Sequence, residues 1–256
     1  MQKDKIAKLI LIWYFVENVS VLLFLILIWE IASEIWNNPV FPSPIGVIRE
    51  AYLLIISKEL WLHIKTSFIR FISGYGIGVF LGVGIGGLMG IYRGWEELFT
   101  IPINIFRHIP GLAWIPLAVI WFGIGLKASI FVIALAAFFP VAINVALGLQ
   151  RVGHIYIKAA LTLGVKRNSL FMITRVLIPA ALKSIFAGLR IGLAAGWAAI
   201  VAAEMVATTS GLGFMIQYYR RLLATNKVVV AMIIISLIGF LMDLTLRYLE
   251  RRLLRV

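Results

Sequence analysis

Eleven Asp and Glu residues, three histidines and no cysteine are the whole stock of acid–base, nucleophilic and metal-binding groups, against 24 Lys and Arg. The missing cysteine excludes disulfides, thiolate metal sites and Cys nucleophiles. His63, His108 and His154 lie far apart and no H-E-x-x-H occurs, so each reads as a loop or interface residue rather than a ligand. No G-x-S-x-G elbow marks a serine hydrolase, and no G-x-x-x-x-G-K-[ST] cradles a phosphate. Neither catalysis nor a bound cofactor or metal is expected. The carboxylates that stand out are Glu204 and Asp243, because both fall in apolar stretches. An acid inside a membrane is costly and usually faces water or a bundle interior. Glu204 reads equally as a gate on a polar path and as a helix-end or structural acid. Asp243 has Arg247 four residues on, the spacing of a helical ion pair. Asn144 lines a path or hydrogen-bonds a neighbouring helix. With Trp121, Glu204 and Asn144 make up the pathway or gate candidates. Arg107 and His108, ahead of a Pro-broken segment, read as interfacial anchors.

These groups sit in a chain built for lipid. Of its 256 residues 62% are apolar and only 14% charged, and the mean hydropathy is +1.02. A soluble domain is nearer a quarter charged. A bilayer core takes about 20 helical residues per crossing. The expected fold is therefore an all-α polytopic membrane protein with about six transmembrane helices, five being the other count. The formal charge of +13 is read as Lys and Arg gathered on cytoplasmic loops, with no nucleic acid partner.

The whole chain, 1–256, reads as a single transmembrane domain. Residues 1–18, with Lys3, Lys5 and Lys8, form a cytoplasmic N-terminal segment. The first crossing centres on Val19–Trp29. No small-residue cleavage site follows it, so it reads as a retained helix rather than a signal peptide. Asn37–Pro44 is a breaker cluster, and Ile45–Trp61 a short amphipathic segment. Further crossings are expected at Thr66–Tyr92, Leu112–Phe122, Ala128–Leu149, Ala180–Met205 and Lys227–Tyr248. Arg93–Glu97 reads as a polar turn and Thr208–Asn226 as a loop. Residues 249–256 form a basic tail. Most of the Lys and Arg fall on one side when both termini are cytoplasmic.

Two crossings carry glycines at intervals of four: Gly74, Gly78, Gly82, Gly86 and Gly90, then Gly188, Gly192 and Gly196. Small residues on one face let backbones approach closely in lipid. Gly82, Gly84 and Gly87 spell G-x-G-x-x-G, but inside an apolar helix, where packing is the expected role rather than a nucleotide.

Residues 150–175 hold Arg151, Lys158, Lys166, Arg167 and Arg175 and no acid. Lys158-Ala159-Ala160-Leu161-Thr162-Leu163-Gly164, running on to Pro179, suggests a short helix, a Gly turn, and a second short helix ended by Pro. Ala159 and Ala160 give a slim face that fits a groove, and Gly164 permits an uncommon backbone angle.

This segment resembles the coupling loop of permease subunits from binding-protein-dependent ABC importers. The resemblance covers nearly the whole chain and points to the nitrate/sulfonate/taurine branch. It is carried by Pro42-Ser43-Pro44, Ile109-Pro110-Gly111-Leu112-Ala113-Trp114-Ile115-Pro116-Leu117, Trp121-Phe122-Gly123-Ile124-Gly125, Leu177-Ile178-Pro179-Ala180-Ala181-Leu182, Ala203-Glu204 and Ser210-Gly211-Leu212-Gly213. It implies that residues 150–179 dock on a separate ATP-hydrolysing subunit through Ala159, Ala160 and Gly164. It also implies two ATP-binding subunits, a second permease copy as a homodimer, and an extracytoplasmic solute-binding protein. The family's Glu is Lys158 here. The Gly164-to-Pro179 interval is longer than the family's by two residues, which would turn a helix by about 200°. The function implied is import of a small anionic solute of the nitrate, sulfonate, taurine or bicarbonate kind. A self-sufficient secondary transporter or channel is the alternative.

Overall fold

Apolar runs of this length leave the backbone one way to satisfy its polar groups in lipid, which is to bond to itself along helices. The computed structural model describes residues 20–21, 23–36, 38, 40–166 and 169–254, and these contain helices and no strand. They are α1 (positions 20–36, residue 22 excepted), α2 (Pro44–Ile56), α3 (Glu59–Ile91), α4 (Arg93–Phe106), a 3₁₀ turn (Gly111–Trp114) and α5 (Ile115–Phe122). Then come α6 (Leu126–Gln150), α7 (His154–Thr162), α8 (Leu170–Met172), a π-turn (Ile173–Leu177), α9 (Ile178–Ala207), α10 (Leu212–Arg221) and α11 (Thr225–Leu253). The expected N-terminal segment and the start of the first crossing lie outside the described residues.

Four stretches are long and apolar enough to span a bilayer: α3, α6, Leu170–Ala207 and α11. Arg93–Phe106 and Gly111–Phe122, bent by 88°, add a fifth if they count as one broken span. The described residues thus show four or five spans, five being one of the two expected counts, and a sixth is not confirmed among them. The bend falls at Pro110, whose ψ of 140° is extended and whose ring bars the preceding residue from helix.

Three local expectations are corrected. Arg93–Glu97 is the first turn of α4 rather than a turn between elements. The expected loop 208–226 contains α10, a helix with a polar face that hydropathy alone does not reveal. The second short helix is not ended by Pro179. It runs into α9, because the π-turn at Ile173–Leu177 shifts the hydrogen-bond register just before the proline and so accommodates its missing N–H.

The chain forms two compact units. One takes in the described residues up to Leu60 together with Ile216–Met232. Here Ser43 caps α2 through Gly46 N–H, with Pro44 in its first turn. The Trp29 indole donates to Pro42 O at 2.8 Å. Tyr219 donates to Glu59, and the Lys227 ammonium lies 4.8 Å over the Tyr219 ring.

The other unit, Trp61–Met215 with residues from Ile233 onward, holds the bundle core. Here α6 lies between two glycine-lined helices. A Cβ added at Gly74 would stand 2.7 Å from Ile133 Cβ, at Gly78 2.5 Å from Ala134 O, and at Gly82 2.8 Å from Val141 Cβ. At Gly86 it would be 2.3 Å from Ala142 O, and at Gly90 2.6 Å from Leu149 Cβ. From α9, Gly188 faces Asn144 at 2.7 Å, Gly192 faces Val141 at 2.9 Å and Gly196 faces Ile133 at 3.4 Å. Gly84 and Gly87 have nothing within 4 Å. Two interhelical bonds add to the packing: Tyr75 Oη to Leu189 O at 2.9 Å and Trp197 Nε1 to Ile235 O at 3.0 Å. Each such bond contributes about 0.6–2 kcal/mol in lipid.

Gly86→Leu forces α3 away from α6 and is expected to cost about 1–3 kcal/mol. Gly84→Leu should change little. The melting temperatures of both variants in mild detergent test this, and equal losses would show that the glycine face is not what joins the helices.

Candidate functional site

Extending the α3 glycine stripe toward the helix start gives Arg70, Ser67 and His63, at steps of four, three and four residues. Extending the α9 stripe forward from Gly196 by fours gives Ile200 and Glu204. Both extensions meet in one buried polar cluster. Arg70 Nη1 lies 2.8 Å from Glu204 Oε1, with side chains 6% and 1% exposed. The Ser67 hydroxyl lies 2.9 and 2.7 Å from the two carboxylate oxygens. Gly213 N–H donates to Glu204 Oε2 at 3.0 Å. Arg70 also donates to Ser210, through Nη1 to its carbonyl and through Nη2 to its hydroxyl.

The turn before α10 is drawn onto this cluster. Leu212 N–H donates to Ser67 Oγ at 2.8 Å, and Gly211 N–H to His63 Nδ1 at 3.0 Å. Thr208 ties the same turn to the end of α9 by donating to Glu204 O and Ser210 O. Gly211 has φ of +112°, and a Cβ there would stand 2.2 Å from Glu204 Oε1. Only glycine fits both the angle and the space. His63, expected on a loop or interface, is instead a buried residue of α3. Arg70, Ser67, Ser210 and Gly211 went unread as a site. The usable signal was a lone arginine on the face that continues a glycine stripe.

The other pathway candidates lie elsewhere. Asn144 lines a cleft of about 460 Å³, together with Arg107, Pro110, Trp114, Pro140, Ile191 and Ala195. Its Nδ2 donates to Pro140 O at 2.8 Å. Among the described residues no Asp or Glu lines this cleft, and the Trp114 indole Nε1 is buried with no acceptor. Glu204 is not among its lining residues. Neither is Trp121, which packs edge-on against Phe131 with ring centroids 5.8 Å apart. Asp243 pairs with Arg247 at 2.7 Å.

The acid-free segment holds α7 and α8. Lys158, Ala159 and Ala160 lie on α7, Ala160 buried and the other two exposed. The helix ends in a Schellman motif, in which Val165 N–H donates to Ala160 O at 3.1 Å and Gly164 N–H to Leu161 O at 3.0 Å. Gly164 has φ of +82° with open space where a Cβ would lie. Leu163 beside it is 85% exposed. Pro179 sits in the first turn of α9, on the surface.

Residues 74–255 match the family described as binding-protein-dependent transport system inner membrane component. The chain belongs to that family. The permease is 38% identical over 231 residues to the taurine transport system permease protein TauC of Escherichia coli, covering 88% of this chain and 83% of that one. It is 31% identical over 235 residues to the nitrate import permease protein NrtB of Synechocystis sp., covering 88% and 84%. Among solved structures, a chain of the MetNI methionine ABC transporter superposes with a TM-score of 0.64 at 19% identity, covering 77% of this permease and 98% of that chain. That likeness shows the fold. The permease is thus a multi-pass membrane subunit of a transport system.

Breaking the buried pair from one side leaves an unmatched charge, so Arg70→Met alone should cost about 3–5 kcal/mol. Adding Glu204→Leu to it should restore part of the loss. A double-mutant cycle on melting temperature measures the coupling, and strict additivity would mean that the two side chains do not act as a pair.

Proposed function

We propose that this permease imports a small oxyanion by alternating access, driven by ATP hydrolysis on a separate subunit. The supporting observation for the solute class is the cleft beside α6: Arg107 is among its lining residues and no carboxylate is. A lining with one cation and no acid favours an anion over a cation, and a guanidinium can hold an oxyanion by two parallel hydrogen bonds. The taurine and nitrate permeases among its relatives point the same way, toward planar or tetrahedral oxyanions. On this reading Asn144 belongs to the path and Trp121 stands outside it. Glu204 is a structural acid that holds the α9 end rather than a gate.

The second half of the proposal concerns coupling. Two copies of the permease form the pore, one of two ATP-binding subunits docks on residues 150–179 of each copy, and a solute-binding protein delivers cargo at the opposite face. Both termini are cytoplasmic. The docking surface is α7 with Gly164 and the exposed Leu163. Lys158 replaces an expected Glu there, so its partner should present an acid.

Two experiments test this. Gly164→Trp and Gly164→Ala carry the same positive-φ strain, about 1–2 kcal/mol, but only Trp adds bulk where a partner would sit. Co-purification in mild detergent should show the Ala variant retaining the ATPase and the Trp variant losing it. Retention by both would remove α7 from the interface. For the cleft, Arg107→Gln should lower uptake of the preferred anion by roughly tenfold or more in reconstituted complexes, as expected for a lost charged hydrogen bond. Unchanged uptake would move the solute path away from Arg107.

A further inference from the structure

Beyond the transport path, α9 and α11 enclose a basic pocket that the proposed mechanism does not use. Lys183 and Arg190, seven residues apart on α9, meet Arg247, Glu250, Arg251 and Leu254 on one face of α11. Arg190 lies 3.6 Å from Glu250, but its Nε is buried without a hydrogen-bond acceptor. Arg247 is engaged by Asp243. Among the described residues, Lys183 and Arg251 have no carboxylate within ion-pair distance. Four cations thus face two acids. The pocket is open, is walled by these two helices and has a volume of about 550 Å³.

Directly above it along the same helices runs a mostly apolar groove of about 540 Å³, lined by Leu193, Ala194, Trp197, Ile235, Gly239 and Phe240. Arg190 lines both cavities. A polar, cationic chamber joined end to end with an apolar groove has the shape and charge order of a phospholipid: anionic headgroup, then acyl chain. The position fits as well, because the basic chamber lies near the C-terminal end of α11, where a span leaves the hydrocarbon. Gly239 keeps the groove wall low at Trp197, since a Cβ there would stand 3.0 Å from the indole.

We infer that this crevice is a specific site for an anionic diacyl phospholipid, with its phosphate held by Lys183, Arg190 and Arg251 and one acyl chain in the groove beside Trp197. Basic pockets between transmembrane helices at a membrane face bind such headgroups. The excess of two positive charges is met by the lipid rather than by the protein. With both termini cytoplasmic, as proposed above, the lipid belongs to the cytoplasmic leaflet. The binding itself does not depend on that orientation or on transport.

The test uses the full permease in nanodiscs of phosphatidylcholine alone or with phosphatidylglycerol added. Phosphatidylglycerol should raise the melting temperature by roughly 3–6 °C, as a ligand bound only by the folded state does. The rise should vanish in Lys183→Ala/Arg251→Ala and in Ala194→Trp, which fills the groove, while both variants melt as the parent does in phosphatidylcholine. Arg220→Ala/Arg221→Ala should keep the full rise. Three results overturn the site: an equal rise with soluble glycerol phosphate, which would mark a phosphate site with no role for the groove; an equal loss in the Arg220/Arg221 variant, which would mark general surface charge; or no rise in the parent. Should either pocket variant melt early in phosphatidylcholine, native mass spectrometry of retained phosphatidylglycerol decides, with parent-like retention overturning the site.

Discussion

Lipid gives helices no hydrophobic reason to associate, so a bundle of this kind holds together only where backbones come close enough for dispersion and polar contacts to act. In this permease that constraint falls on α6. Val141 is gripped between Gly82 of α3 and Gly192 of α9, and Ile133 between Gly74 and Gly196. The two flanking helices carry their glycines at the same interval, so these α6 side chains find a gap on either side. Bulk on one helix is matched by its absence on two others. The close approach fixes the register of α3 and α9 against α6, and through it against each other.

The buried ion pair depends on that register. Arg70 and Glu204 lie 134 positions apart in the chain, and neither has a local partner that would satisfy it. Each sits one or two steps beyond the end of its own glycine stripe, so once the stripes are seated the charges meet. Ser67 and Gly213 occupy the remaining acceptor positions of the carboxylate. A buried pair adds little stability over a well-packed apolar replacement, yet removing one member is severe. The pair therefore acts more as a check on correct assembly than as a source of strength. The turn before α10 completes the check, since its three consecutive backbone N–H groups from Gly211 to Gly213 all reach this cluster.

The spans were legible because length and apolar content are one-dimensional properties: α3, α6, α9 and α11 all lie where hydropathy puts them. Glu204 was legible for the same reason, as an acid in an apolar run. Its partner was not, because pairing is a property of the assembled bundle. Arg70 was not singled out at all, because nothing near it in the chain marks it as that partner. The helix α10 was hidden by its polar face. The continuity of α8 through Pro179 was hidden by a rule that is sound on average: proline does end helices unless the hydrogen-bond register shifts just before it. The motif set that resembled ABC importer permeases carried the family, and the comparisons with TauC and NrtB bear that out.

Continuity across Pro179 also bears on how motion would reach the bundle. From Leu170 to Ala207 the chain is one helical rod of 38 residues, about 57 Å at 1.5 Å per residue. Its one irregularity is the π-turn at Ile173–Leu177, which lies between α7 and the part of α9 that packs along α6, with Leu177 already against the α6 cluster. Under the proposed coupling, a push at Gly164 meets that turn first. A π-turn leaves hydrogen bonds that can shift by one residue at low cost, so it sets how much of the push bends the rod and how much moves it whole. The far end cannot yield in the same way, because Glu204 is held by Ser67, Arg70 and Gly213 together. Under that coupling, a rod soft at the driven end and clamped to α3 at the other would carry α3, α6 and α9 together. The cleft holding Asn144 and Arg107 lies between that block and the broken segment at Pro110, so a movement of one against the other would reshape it.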